Sequence, residues 1–168
     1  NHGLIAHSDD PDECIRIHED ANNRVARAMG VTGDAFPKVS VRETENGLIE
    51  ADCPFLSEML CSGAFDEKFF LETPLYPDQM VFLIGSFGFG SGTPEADCCL
   101  ADPETGRVVF NMKASRAQVI AETLTAVTFI ADAIRNSGKT LSTMGEQARA
   151  FIANWESEKY RKSLAGRK

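Results

Sequence analysis

The stretch that most constrains the fold is residues 10–30, DPDECIRIHEDANNRVARAMG, which predicts a helix of about five turns. Asp10 can serve as the N-cap, and Pro11 occupies the first helical position, where its missing N–H costs nothing. Two acidic residues follow near the positive end of the helix, and Gly30 can end it. Because both ends are specified locally, we predict a complete helix here.

One face of this predicted helix is apolar. The apolar positions recur every three or four residues, as in a helix that packs on a core: Cys14, Ile17, Ala21, Val25 and Ala28. At ~100° per residue the apolar sector widens on one side, where it includes His18 and Asn22, with Glu19 at its margin. We therefore predict that this is the core helix of the fold, and we expect its polar side chains to have partners or a function.

Charge and hydropathy exclude two classes of partner. The chain has 168 residues, enough for one domain with a hydrophobic core. Its net charge of −8 would repel a phosphate backbone, so nucleic acid is excluded. We also predict no membrane span, because no apolar run approaches the roughly 18 residues that one requires.

Cysteine and histidine usage indicates the compartment. The five cysteines are odd in number and never spaced as C-x-x-C, which indicates reduced thiols and a cytoplasmic protein. The three histidines include no i,i+4 pair on a helix, so we predict no metal site. No secretory signal is visible at the start of this sequence.

The rest of the chain predicts an antiparallel sheet followed by two helices. Residues 37–51 predict a hairpin around the turn Glu45-Asn-Gly47, and residues 54–63 remain open between a helical turn and a loop. The other strands are expected at residues 3–6, 65–73, 80–89, 96–101 and 107–116. Helices are expected at residues 120–137 and 143–155, and the basic tail, residues 159–168, is expected to fray.

A long helix followed by antiparallel strands is typical of an α+β hotdog fold, in which a curved antiparallel sheet wraps a long helix. Three stretches also resemble the 4-hydroxybenzoyl-CoA thioesterase-like hotdog enzymes. They are Ile17–Ala21 continuing to Val25–Gly30, Phe69–Pro74 followed by Tyr76–Met80, and the turn Asp102–Val109. The resemblance implies a hotdog domain at residues 1–116, with an inserted hairpin at 37–63, and a C-terminal helical extension at 117–168 packed on the same domain.

The same resemblance implies hydrolysis of an acyl-CoA-type thioester by a carboxylate on or near the helix. Glu19 matches the helix acid of the family, and Asp10 and Asp9 are the alternatives. Family sites form between two protomers, so a homo-oligomer, either a dimer or a tetramer, is expected. No cofactor is implied beyond the coenzyme A of the substrate. The remaining candidates are substrate-binding: His18 and Asn22 for a water or the thioester oxygen, and Lys113 and Arg116 for a coenzyme A phosphate.

Each of these roles has a structural alternative. Glu19 can pair with Arg16 or Asn23 on the surface, Asp10 is a good N-cap, and Lys113 and Arg116 can simply favour solubility. The Gly-His-Val-Asn-Asn signature of many hotdog enzymes is absent before the helix. Three rival functions or folds follow: a non-catalytic module that binds an acyl group or small ligand, a hotdog hydratase or dehydratase of enoyl thioesters, and a nuclear-transport-factor-2-like cone fold.

Overall fold

The computed structural model describes residues 4–31 and 36–154. The chain divides into two compact units: unit 1 is Asn1–Phe36 with Ala131–Leu141, and unit 2 is Pro37–Ile130 with Ser142–Lys168. The boundary predicted at residue 116 falls inside unit 2. The described elements are α1 (Pro11–Ala28), β1 (Ser40–Glu43), β2 (Ile49–Asp52), α2 (Pro54–Cys61), α3 (Glu67–Glu72), α4 (Pro77–Leu83), β3 (Phe87–Phe89), β4 (Cys99–Ala101), β5 (Val108–Phe110), α5 (Ala114–Asn136) and α6 (Glu146–Asn154).

Helix α1 of unit 1 forms where the sequence predicts it. The side chain of Asp10 accepts a hydrogen bond of 3.0 Å from the backbone N–H of Asp12, so Asp10 is the N-cap. The prediction that α1 is the core helix is wrong, because none of its residues is buried and Val25 is 64% exposed. Amphipathic spacing shows that a helix has an apolar face, but it does not show what that face packs against.

The sheet of unit 2 has the strand order β1-β2-β5-β4-β3. All neighbours are antiparallel except β3 and β4, which run parallel. The hairpin of β1 and β2 is confirmed, with Val41 opposite Ala51 and Gly47 at φ +75° in the turn between them. The structure is therefore α+β with a mostly antiparallel sheet, as predicted, and the sheet has five strands.

Helix α5 supplies the buried helical face that was expected from α1. It begins in unit 2 and packs against the sheet. Five of its apolar side chains in that unit are fully buried: Ala117, Ile120, Ala121, Leu124 and Val127. The hydroxyls of Thr125 and Thr128 are also buried, and each donates to the carbonyl one turn earlier. The described part of the predicted last helix is α6, whose Ile152 packs with Met80 and Val81 of α4.

One predicted strand is a helix instead, and a second is a helix over its first part. Residues 65–73 contain α3, in which the Asp66 side chain caps the backbone N–H of Phe69 at 2.8 Å. Residues 80–89 contain the end of α4, which begins with Pro77 at its first position, and only then β3. Short apolar runs buried on both sides show no clear period, so periodicity cannot separate strand from helix there.

The structure also assigns one stretch that the sequence left open and changes two other predictions. Residues 54–63, left open above, contain α2, with Pro54 at the first helical position. The strand predicted at 107–116 ends at Phe110 because α5 begins at Ala114, and the described residues 4–6 do not form a strand. The tail at 159–168 lies outside the described residues.

Among the described helices, α5 alone is long and apolar enough to cross a membrane, and half of its apolar stretch is buried within the protein. The core helix of a globular protein can have the same length and composition. This observation is therefore weak support for a membrane span.

Candidate functional site

The strongest candidate site is an open groove in unit 1, between the start of α1 and the segment before it. Its volume is about 490 Å³, and we call it the α1 groove. The lining side chains are Leu4, Ile5, Ala6, Cys14, Ile15, His18 and Glu19. Positions 14, 15, 18 and 19 lie on one side of a helix, which explains why they share the groove.

Hydrogen bonds hold the preceding segment beside α1. The Cys14 thiol lies 3.7 Å from the carbonyl oxygen of Ala6 and 4.0 Å from that of Ser8, with both oxygens accepting. The Ser8 hydroxyl oxygen accepts from the backbone N–H of Asp10 at 3.2 Å. The segment therefore folds back on the first turns of α1, and its apolar side chains form one side of the groove.

Two predicted site residues, His18 and Asn22, lie one turn apart on α1 and contact each other. The Asn22 amide nitrogen lies 3.1 Å from Nδ1 of His18. If the amide donates, Nδ1 is the acceptor, and Nε2 is the ring nitrogen left to face a ligand. His18 itself lines the groove, whereas Asn22 does not.

Glu19 is exposed at the edge of the groove. Its predicted pairing with Arg16 does not form, because the Arg16 guanidinium instead binds Glu13, with Nε 2.8 Å from Oε2. Within the described part of the chain, Glu19 makes no ion pair or side-chain hydrogen bond. The neighbouring Asp20 does pair, with its carboxylate 2.9 Å from Nε of Arg24.

The alternative acids, Asp9 and Asp10, are outside the groove lining. Asp10 caps α1 and also lies 3.8 Å from the Arg16 guanidinium. Asp9 is exposed in the bend before the helix. The structure thus gives Asp10 the structural role that its position predicts.

The predicted phosphate-binding residues, Lys113 and Arg116, belong to unit 2. The Arg116 guanidinium donates to Asp97 at 3.0 Å, and the backbone oxygen of Lys113 accepts from Arg116 and Ala117 in the first turn of α5. Asp97 has φ +61°, a left-handed conformation that is uncommon outside glycine. The contacts of Arg116 are therefore those of a residue that stabilises the loop before α5.

Sequence reasoning missed a nearly buried carboxylate in the sheet. Glu50 on β2 is 8% exposed and receives two hydrogen bonds from Arg107, at 2.8 and 3.2 Å, and one from Arg42 at 3.3 Å. The bonds from Arg107 lower the pKa of Glu50, although burial opposes this effect. The signal was present in the predicted hairpin, because its register places Arg42 opposite Glu50.

Replacing Glu50 with glutamine is expected to lower the free energy of unfolding by about 1 kcal/mol at neutral pH, because both arginine partners are largely exposed and screened. The pKa of Glu50 is lowered on folding, so its contribution exists above the unfolded pKa and is lost as the pH falls. Urea unfolding at several pH values should show the two proteins converging below about pH 4. Asp20→Asn, which removes an exposed pair, is the matched control, and an equal loss in both variants would contradict this account.

Two other kinds of site receive no support from the described residues. In residues 4–31 and 36–154, no three His, Cys, Asp or Glu side chains are arranged to hold a metal ion. Burial raises the pKa of the Cys99 thiol to about 12, so this cysteine is a poor nucleophile at neutral pH.

A further open cavity, of about 540 Å³, lies on α6 and is lined by Gln147, Ala150, Phe151 and Asn154. None of these four residues is a predicted site residue or titratable.

Comparison with known proteins adds no further assignment. No protein-family model matches the chain, and neither characterised proteins nor solved structures give a match.

Proposed function

We propose that this chain is a non-catalytic binding protein and that the α1 groove is its binding site. The observation that carries the proposal is the exposure of the apolar side chains that line this groove. Leu4 is 48% exposed, Ile5 87% and Ile15 57%. Adjacent exposed apolar side chains beside polar ones are typical of a surface that another molecule covers.

The polar residues of the groove support binding rather than catalysis. A carboxylate that acts as a base is usually desolvated or held by a partner, whereas Glu19 is exposed and unpaired within the described residues. His18 contacts Asn22, and no described contact joins it to Glu19. The groove therefore contains polar groups that can orient a ligand, without the mutual contacts of an acid–base pair.

Local charge also disfavours coenzyme A at this groove. Residues 9–20 include six carboxylates and one arginine. The phosphates of coenzyme A would be repelled by this excess of negative charge. The arginine proposed to bind a phosphate, Arg116, is in unit 2 and already holds Asp97.

Thioester hydrolysis is the second candidate, because Glu19 and His18 line the same groove as apolar side chains suited to an acyl group. The hotdog fold, the homo-oligomer and the cytoplasmic location belong to this candidate as predictions. The fold and the oligomeric state rest on the resemblance described above and on the α+β architecture, and the location rests on the number and spacing of the cysteines.

One experiment compares the two candidates. Nile red, a neutral apolar dye, is expected to bind the groove, and its fluorescence should then increase. Ile15→Asp should weaken this binding at least about tenfold, because the dye can no longer cover an isoleucine side chain. Val25→Asp is the matched control, since Val25 is exposed on the same helix but does not line the groove. Circular dichroism of both variants checks that the helix remains folded.

The same proteins are then tested for thiol release from short, long and aromatic acyl-CoAs. The binding proposal predicts no turnover. Turnover that Glu19→Gln abolishes and Asp20→Asn preserves would refute it and establish the thioesterase. Dye binding that is equal in Ile15→Asp and Val25→Asp would refute the α1 groove as the site.

A further inference from the structure

We propose that the occupant of the α1 groove is a polypeptide segment that is cationic and amphipathic, with apolar side chains flanked by lysine or arginine. This inference rests on the proposed binding function. It adds the chemistry of the partner, which follows from the charges around the groove and from the shape of the groove.

The charges around the groove are unbalanced in the folded protein. Of the six carboxylates in residues 9–20, Asp10 and Glu13 share Arg16, and Asp20 pairs with Arg24. Within the described part of the chain, the other three make no ion pair: Asp9, Asp12 and Glu19. Glu19 lines the groove, Asp12 lies two turns earlier on the same side of α1, and Asp9 directly precedes the helix.

These three carboxylates select a cationic partner. Each can pair with a lysine or arginine beside the apolar contact, which gives specificity and faster association. The exposed residues Leu4, Ile5 and Ile15 provide the apolar contact. A partner with both features covers the apolar side chains and pairs with the carboxylates beside them. A nucleic acid or an anionic lipid surface would be repelled by these carboxylates.

The shape of the groove favours a polypeptide over a small molecule. Small-molecule sites usually enclose most of the ligand surface, but here the apolar lining is widely exposed. An amphipathic segment that lies across α1 can cover the groove and reach Asp12 and Asp9 as well. Recognition of an amphipathic segment in an apolar groove is a recurring mode of peptide binding.

A second copy of this chain is the less suitable occupant. In a symmetric dimer the same surface of both copies meets at the two-fold axis. Asp12 and Glu19 of one copy would then lie close to those of the other, and Arg16, the one arginine of residues 9–20, already binds Glu13. Like charges across an interface oppose association.

The test uses three synthetic amphipathic peptides of about 18 residues with the same apolar face, which differ only in the polar positions: lysine, glutamine or glutamate. By fluorescence anisotropy, the lysine peptide is expected to bind about tenfold more tightly than the glutamine peptide, and the glutamate peptide more weakly than both. Raising the salt from about 10 mM to about 500 mM should remove most of the difference.

Variants assign the effect to the groove. The double variant Asp12→Asn, Glu19→Gln should bind the lysine peptide several-fold more weakly and the glutamine peptide with unchanged affinity. Asp20→Asn should bind both peptides with unchanged affinity. Ile15→Asp should weaken the binding of both the lysine and the glutamine peptides.

The outcomes separate this inference from the proposed function. Equal binding of the lysine and glutamine peptides, with Nile red binding still dependent on Ile15, would overturn the cationic partner and leave the binding function standing. Loss of the Ile15 dependence for both dye and peptides would overturn the α1 groove as the binding site, and with it the proposed function. A dimer that dissociates in Ile15→Asp, measured by sedimentation equilibrium, would replace the peptide with a second copy as the occupant.

Discussion

Gly106→Ala is expected to lower the free energy of unfolding by roughly 3 kcal/mol, which combines the cost of a left-handed alanine with that of a steric overlap. Gly106 has φ +70°, a conformation that side chains other than glycine rarely adopt. A Cβ at this position would lie 2.5 Å from the carbonyl oxygen of Ser57 and 2.9 Å from its Cα. These are backbone atoms of α2, so rotation of a side chain cannot relieve the overlap.

The consequence extends beyond one turn because Gly106 lies in the loop that connects β4 to β5. Its N–H donates to the carbonyl of Asp102 at 2.8 Å, and the Asp102 carboxylate accepts from Glu104 and Thr105. The Cys61 thiol on α2 lies 3.7 Å from the carbonyl of Glu104. Displacement of this loop would therefore disturb its packing on α2.

Urea unfolding measures the effect, and Gly47→Ala is the matched control. Gly47 has φ +75° in the β1–β2 turn, but a Cβ there would meet nothing within 4 Å. The control should lose only the roughly 1–2 kcal/mol of the backbone term. If both variants lost the same amount, the close packing of the Asp102–Gly106 loop against α2 would be wrong.

Gln79→Leu is expected to destabilise the protein by about 3 kcal/mol, although leucine is of similar size and more apolar. Gln79 is fully buried on α4. Its amide nitrogen donates to the carbonyls of Phe69 at 3.2 Å and Phe70 at 2.9 Å, and its oxygen accepts from the N–H of Leu75 at 2.9 Å. Leucine would leave buried backbone groups without these partners, at a cost of roughly 1–3 kcal/mol for each group left unsatisfied.

Gln118→Leu is the control for this prediction. Gln118 on α5 also donates to a backbone carbonyl, that of Val39 at 3.2 Å, but it is only partly buried. Water can replace its partner, so the free energy of unfolding should fall by less than about 1 kcal/mol. Comparable losses in the two variants, measured by urea unfolding, would contradict the bridging role of Gln79 between α3 and α4.

Local signals in the sequence predicted α1 and the β1–β2 hairpin, because an N-cap, a proline at the first position and an Asn-Gly turn act on neighbouring residues. They could not predict which helix is buried. No residue in the apolar stripe of α1 is buried, whereas α5 packs against the sheet, and this choice depends on contacts between residues far apart in the chain. The α3–α4 region was misassigned for a related reason, since the fully buried Gln79 joins α3 to the start of α4 only in the folded chain.

The candidate site was also predictable only in part. Helical spacing predicted that His18 and Glu19 lie on one side of α1, and in the structure both line the groove. Ile5 was expected in a strand, and its place in the groove depends on the preceding segment folding back beside α1. Arg116 was expected to bind a phosphate, but the left-handed loop at Asp97 gives it a carboxylate partner.

The central claim is that the α1 groove is where this chain binds its partner. The most direct test is a titration of the isotopically labelled protein with the lysine peptide, followed by ¹H–¹⁵N correlation spectra. We predict that the largest chemical-shift changes occur at residues 4–19, and that Ile15→Asp removes them while Val25→Asp does not. Changes confined to unit 2, such as on the face of α6 around Ala150, would contradict the claim.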